Sequence, residues 1–154
     1  MNTAQSFNND VSSLPTRSPS GFEVLQIEKR VFIDDVSAQW GSDITQRLQE
    51  LVRLELGWDG YRAVPVGSTN AAFALQILAR VCVPGTQIPT VVPGVEGDLQ
   101  LEWHTVKGDI ELHVVAPNVV HAWCAVASGE NPEGEERELK NDFSIVARWV
   151  RDIA

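Results

Sequence analysis

Residues 91–104 have the sequence VVPGVEGDLQLEWH, a Pro/Gly-rich turn followed by residues that alternate between apolar and polar. After Lys107-Gly108 the alternation resumes in residues 109–114, DIELHV. Strict two-residue alternation is typical of a β-strand with one buried face. These two segments therefore predict two neighbouring antiparallel strands at the centre of the fold.

The register of the two strands depends on the turn between them. A two-residue turn at Lys107-Gly108 predicts a definite set of facing residues, because side chains alternate between the two faces. On the apolar face, the facing pairs are Trp103–Leu112 and Leu101–Val114. On the polar face, the facing pairs are Glu102–His113 and His104–Glu111.

Three helices are predicted around these strands. The first spans residues 44–56, with Ser42 or Asp43 as its cap and Gly57 as its stop. The second spans residues 70–83 after a Ser68 or Thr69 cap, and it is apolar on nearly every side. Such a helix is a buried one, so we expect it to lie across the sheet.

The third helix follows a cap at Asn141 or Asp142. Its apolar stripe, with Trp149 beside it, consists of Phe143, Val146, Val150 and Ile153. The remaining strands are predicted near residues 90–92 and, after a Pro117-Asn118 turn, at 119–127, with a further candidate strand within 22–36. Residues 129–138 are expected to be a solvated acidic loop.

Together these elements predict an α+β fold: an antiparallel β-meander of three to five strands, packed on one face by two or three helices. The predicted core face carries Leu99, Leu101, Trp103, Leu112 and Val114. Residues 1–21 are rich in Asn, Ser and Thr and poor in large apolar groups, so we expect a flexible polar arm there. Residues 22–154 are expected to form a single domain.

The net charge of -9 restricts the classes of partner. Nucleic acids and acidic membrane surfaces are disfavoured, because both require a basic protein surface. A basic protein partner fits the charge, although acidity also serves solubility alone. There is no signal-peptide pattern and no membrane-spanning run, which predicts a cytoplasmic protein. Cys82 and Cys124 form no CxxC motif and are expected to be buried, reduced thiols.

The crossed His/Glu pairs are the strongest candidate for a metal-binding or catalytic site. Glu102, His104, Glu111 and His113 would together suit a divalent metal or general acid/base catalysis, with His121 able to join them. The alternative is that these cross-strand pairs only support a solvent-facing sheet surface. No nucleophile elbow or phosphate-binding loop is present, and we expect no cofactor. Cys124 and His121 are three apart on one strand, so they should point to opposite faces.

Two further segments are candidate partner-binding sites. The turn Trp58-Asp59-Gly60-Tyr61 could expose its aromatic rings to a partner, or Asp59 could cap local amides while both rings pack under the sheet. The acidic run could offer a DNA-like negative surface to a basic partner, or be a solvated loop. Its carboxylates are Glu130, Glu133, Glu135, Glu136 and Glu138. Residues 108–142 contain eight acidic and two basic residues, which is six of the nine net negative charges.

Several of these motifs resemble an uncharacterised family of small bacterial proteins that are often encoded in two-gene modules. The resemblance covers roughly residues 48–114. It is carried by the GWDGY turn at 57–61, by Ala63, Pro65, Pro93 and Gly97, by the LQLEWH strand at 99–104 and by DIE at 109–111. It implies no activity, but paired genes favour a protein partner, as for an antitoxin or immunity protein. The polar arm and the acidic run depart from the family pattern.

The sequence therefore predicts a non-enzymatic acidic protein-binding module that holds or inhibits a partner. An antitoxin-like protein and a phage-type inhibitor of a nucleic-acid-handling system both fit. The alternatives are a metal-dependent enzyme using the His/Glu cluster and a homodimeric scaffold.

Overall fold

The computed structural model describes residues 24–27, 30–33, 41–128 and 133–154, and within them it has three helices and seven strands. The helices are α1 (Gly41–Val52), α2 (Ser68–Val81) and α3 (Ser144–Asp152). The strands are β1 (Val24–Ile27), β2 (Arg30–Ile33), β3 (Thr90–Pro93), β4 (Leu99–Thr105), β5 (Gly108–Ala116), β6 (Val119–Val126) and β7 (Glu135–Leu139).

Strands β3 to β7 form one antiparallel sheet in chain order, and β1 and β2 pair separately as a hairpin. The predicted α+β meander is therefore confirmed. The candidate strand within 22–36 is in fact two short strands, and the predicted arm at 1–21 lies outside the residues described. No helix in the described part of the chain is long and apolar enough to cross a bilayer.

One face of the sheet is buried beneath the helices, as the alternation predicts. The buried side chains of its three central strands are Leu99, Leu101, Trp103, Ile110, Leu112, Val114, Val120, Ala122 and Cys124. Helix α2 lies against this face, with Gln76 and Arg80 exposed, and α3 packs on α2 through an edge-to-face contact of Phe73 with Phe143. All four residues of the α3 stripe are buried.

The predicted register of β4 and β5 is wrong by two residues. The turn is Val106-Lys107, so that Thr105 pairs with Gly108. The reason is the Thr105 hydroxyl, which accepts from the N–H groups of Lys107 (3.1 Å) and Gly108 (3.2 Å) and closes the turn. Gly108 is the first residue of β5 and not part of the turn. A glycine is required there because a Cβ would lie 2.4 Å from the Ala125 carbonyl oxygen. A shift of two keeps every side chain on its predicted face but changes its partner.

The helix ends differ from the predictions where tertiary contacts decide them. Helix α1 ends at Val52, one turn before the predicted end, because the Leu51 carbonyl accepts from the Val66 N–H (3.2 Å). Its Arg47 Nε donates to the Val91 carbonyl of β3 (3.3 Å). For α3, the predicted cap at Asn141 or Asp142 is wrong, because Phe143 precedes the helix and no side-chain cap bond forms; Asp142 Oδ1 instead accepts from the N–H of Ser144, the first helical residue (2.9 Å).

Neither Ser68 nor Thr69 caps α2, since Gly67 precedes the helix and no side-chain cap bond forms. Instead, Asn70 in the first turn is buried. Its Nδ2 donates to the carbonyls of Gly97 (2.9 Å) and Val115 (3.3 Å). This amide joins the start of α2 to the β3–β4 loop and to the end of β5.

The predicted solvated loop at 129–138 is wrong for its second half, because residues 135–139 form the edge strand β7. Without β7, the N–H and C=O groups along that side of β6 would have no strand partner. The hydrogen bonds that β7 makes with them outweigh the low strand propensity of glutamate. Leu139 also packs against the core. Within this run, Glu130 lies outside the described residues.

Both cysteines are free and buried, as predicted. Burial raises the pKa of each thiol to about 11. Cys124 faces the core, whereas His121 is exposed on the opposite side of β6, so the two form no catalytic pair.

The buried amide of Asn70 gives a stability prediction. Asn70→Ala should lower the free energy of unfolding by about 1–3 kcal/mol, because the carbonyls of Gly97 and Val115 lose the hydrogen bonds of a buried amide. Asn70→Asp should cost more, since a carboxylate would then face both carbonyl oxygens. Urea denaturation measures both changes. Gln76→Ala, at an exposed site on the same helix, should stay within about 0.5 kcal/mol of wild type. Equal stabilities for the Asp variant and this control would contradict the role of Asn70.

Candidate functional site

The sheet face that points away from the helices, which we call the outer face, carries charged and aromatic side chains in rows across the strands. Directly paired residues of neighbouring strands share a face, so the strand register defines each row. The central row, from β3 to β7, is Thr90, Glu102, Glu111, Trp123 and Glu136. The adjacent row is Val92, Gln100, His113, His121 and Glu138.

His104 lies between two carboxylates on this face. Its Nδ1 is 2.9 Å from Asp109 Oδ1 and its Nε2 is 3.3 Å from Glu102 Oε2. The hydrogen bond with Asp109, followed by that with Glu102, raises the pKa of His104 above its ordinary value of 6.5. Glu102 is thereby drawn toward His104, although its directly paired residue on β5 is Glu111.

The other two histidines also have acidic partners. His113 Nε2 is 2.5 Å from Asp98 Oδ2, and Asp98 also accepts from the Glu96 N–H (3.1 Å). Burial raises the pKa of Asp98, but the bonds from His113 and Glu96 outweigh it, so this pKa lies below the ordinary 3.8. His121 Nδ1 is 4.0 Å from Glu138 Oε1. Each imidazole therefore offsets a carboxylate when it is protonated.

Glu111 and Glu136 differ from these paired carboxylates. Both side chains are exposed, and neither forms an ion pair with any residue that the structure describes. They are also the two residues directly opposite Trp123, one on each neighbouring strand. The carboxylates of this face that form no ion pair thus lie on the two sides of one indole.

An open groove of about 540 Å³ runs over β5, β6 and β7 at this point. The residues that line it are Gln100, Glu111, His113, His121, Ala122, Trp123, Glu136, Arg137 and Glu138. The ring of Trp123 is half-buried, and its Nε1 donates to the Glu133 carbonyl (3.4 Å). It packs on Gly134, where a Cβ would lie 2.4 Å from Nε1. Glu133 and Gly134, directly before β7, therefore set the position of the indole.

The predicted metal cluster does not assemble. Glu102 and His104 are in contact, but His113 is held by Asp98 and lies one row away from Glu111. Across the described ranges, no group of three or more His, Cys, Asp or Glu side chains is arranged to hold a metal ion. The crossed pairs Glu102–His113 and His104–Glu111 are wrong because they depended on the Lys107-Gly108 turn.

The acidic run is divided by strand alternation. Glu136 and Glu138 lie on the outer face, whereas Glu135 pairs with Cys124 on the opposite face and forms an ion pair with Arg137. Glu133 is exposed in the turn before β7. Only part of the run therefore contributes to the groove.

The turn at 58–61 is closed by hydrogen bonds of its own side chains, as one of its two predicted roles requires. Asp59 Oδ1 accepts from the N–H groups of Tyr61 (2.9 Å) and Ala63 (3.1 Å), which lowers the pKa of Asp59 below 3.8. Trp58 Nε1 donates to the Val64 carbonyl (3.0 Å). The Tyr61 ring is 86% exposed, so the expectation that both rings pack under the sheet is wrong.

This turn does not join the groove. Val64 forms a bridge with Glu96 in the loop between β3 and β4, whereas β7 is the strand at the opposite edge of the sheet. Trp58, Asp59 and Tyr61 therefore cannot form one site with the acidic strand.

Sequence reasoning overlooked three residues of the outer face. Asp98 and Asp109 are the true partners of His113 and His104, and Trp123 is the centre of the groove. The alternation in VVHAWCAV, residues 119–126, does place His121 and Trp123 on one face. The two aspartates could not be found in this way, because their roles depend on the exact register and on the loop before β4.

No protein family, curated protein or solved structure matches this chain.

The surroundings of His104 predict an order of effects on its pKa. Asp109→Asn should lower the pKa of His104 more than Glu102→Gln does, because the bond with Asp109 is the shorter and stronger one. NMR titration of the imidazole measures both values. Since the folded-state pKa is raised, His104 adds stability below pH 6.5, and this is lost as the pH rises through the folded value. A larger effect of Glu102→Gln than of Asp109→Asn would contradict the prediction.

Proposed function

We propose that this protein is a non-enzymatic, cytoplasmic protein-binding module whose acidic outer face holds or inhibits a partner with a basic surface. The observation that carries the proposal is the pair of exposed carboxylates, Glu111 and Glu136, which form no ion pair with any described residue and lie on a face backed by helices. Charge of this kind attracts a basic surface over a distance and sets its orientation.

The composition of the outer face favours binding over catalysis. On β4, β5 and β6 its residues include no serine, threonine or cysteine that could act as a nucleophile. The groove carboxylates would also repel phosphate, which disfavours two-histidine cleavage of a nucleic acid by His113 and His121, whose ring centroids are 6.2 Å apart.

The negative row also suggests which kind of partner is held. Carboxylates in a row resemble the charge of a nucleic-acid backbone, so a protein that handles nucleic acids is a suitable target. An antitoxin-like protein or a phage-type inhibitor would act by occupying such a basic surface.

A capture experiment tests the proposal. Tagged protein incubated with lysate of its source organism should retain a basic protein at low salt and lose it at about 0.5 M salt, where charges are screened within a few ångströms. Replacing Glu102, Glu111, Glu136 and Glu138 with Gln should abolish retention.

A matched variant controls for net charge alone. It removes four exposed carboxylates elsewhere, by Asp43→Asn, Glu50→Gln, Glu55→Gln and Asp152→Asn. This variant should retain the partner. The proposal fails if both variants lose the partner equally. It also fails if wild type retains no protein that the outer-face variant does not retain as well.

A further inference from the structure

Resting on the proposed function, we further propose that the groove receives an arginine side chain of the partner. The guanidinium stacks on the indole of Trp123 and donates hydrogen bonds to the carboxylates of Glu111 and Glu136. The partner thus binds at one defined position rather than over the whole acidic face.

The strand register places the three groups correctly for this ligand. Glu111 and Glu136 are the direct cross-strand partners of Trp123 on β5 and β7. Neighbouring strands lie about 4.8 Å apart, so the two carboxylates flank the indole at one strand spacing on each side. A planar guanidinium can lie over an aromatic ring while its edge donates to carboxylates.

The three histidines of the outer face and the neighbouring Arg137 already have acidic partners. His104 lies between Glu102 and Asp109, His113 is bonded to Asp98, and His121 is near Glu138. Arg137 is among the residues that line the groove, and its guanidinium forms an ion pair with Glu135, which belongs to the opposite face of β7. Within the part of the chain that the structure describes, Glu111 and Glu136 therefore have no internal ion-pair partner.

The indole is held in position before any partner arrives. Its Nε1 donates to the Glu133 carbonyl, and Gly134 leaves the space that the ring edge occupies. An anchored ring loses little freedom on binding, so more of the contact energy appears as affinity. The groove of about 540 Å³ is larger than one side chain, so it also admits the neighbouring residues of an extended segment.

Other ligands fit the groove less well. An anion would be repelled by the carboxylates. An apolar side chain would displace water from the carboxylates without offering them a hydrogen-bond donor in its place. A lysine ammonium is compact and strongly hydrated, and it cannot stack on the ring and donate to both sides in one plane. Arginine matches both the aromatic and the acidic groups.

NMR titration with a short blocked peptide of alternating arginine and serine tests the assignment. The indole N–H signal of Trp123, identified by its loss in Trp123→Phe, should shift as the peptide is added. Signals of the buried Trp103 and Trp149 should stay in place. A matched peptide with lysine in place of arginine should bind several-fold more weakly.

Two pairs of substitutions separate the groove from general acidity. Glu111→Gln with Glu136→Gln should weaken binding about tenfold, because both flanking carboxylates are lost. Glu102→Gln with Asp109→Asn removes the same number of carboxylates from the same face and should weaken it less than about twofold. Gly134→Ala, which displaces the indole without changing charge, should also weaken binding severalfold. Circular dichroism checks that every variant is folded.

The outcomes that would overturn the assignment are distinct from failure of the proposed function. Equal weakening by the two charge pairs, or binding without a shift of the Trp123 signal, would show diffuse attraction and leave the acidic-face proposal standing. Equal affinity of the lysine peptide would rule out guanidinium stacking. Absence of peptide binding would remove the arginine site, whereas the capture experiment judges the acidic face independently.

Discussion

The constraint on which the molecule depends is the burial of one sheet face against α2. Side chains on a strand alternate, so packing Leu101, Leu112 and their neighbours under the helix obliges the residues between them to face outward. A slip of one residue would place charged groups in the core, at a cost far above the net stability of a domain. The positions of Glu111 and Trp123 on the outer face therefore follow from the packing of the core.

The same constraint explains how far the sequence predicts this structure. Alternation in β4 and β5 and the nearly all-apolar α2 are strong patterns, so the α+β meander and its core face could be predicted. The pairing of individual residues could not, because it depends on the Thr105 hydroxyl closing a turn one residue earlier than a Lys-Gly turn would. Strand β7 could not be predicted either, since its sequence EEREL lacks apolar alternation and becomes a strand only because β6 presents main-chain groups to be paired. The side of the groove formed by β7 therefore exists only once the sheet has assembled. The sequence shows that this region is acidic but not that it forms a strand.

The turn at 57–61 and Gly97 serve the scaffold. Asp59 caps its own turn, Trp58 bonds to the Val64 carbonyl, and the Gly97 carbonyl accepts from both Gly67 and Asn70. They connect the start of α2 to the loop before β4. Of the groove residues, Glu111 lies on β5 within residues 48–114, whereas Trp123 and Glu136 lie on β6 and β7, beyond residue 114.

The bond from Arg47 to the Val91 carbonyl has a consequence for how the molecule meets its neighbours. Open sheet edges are templates on which further strands assemble, including those of misfolded copies. In this protein a side chain from α1 occupies part of one margin, and the closely spaced glutamates of β7 repel an identical strand at the other. Growth of the sheet by addition of further strands is therefore opposed at both of its edges.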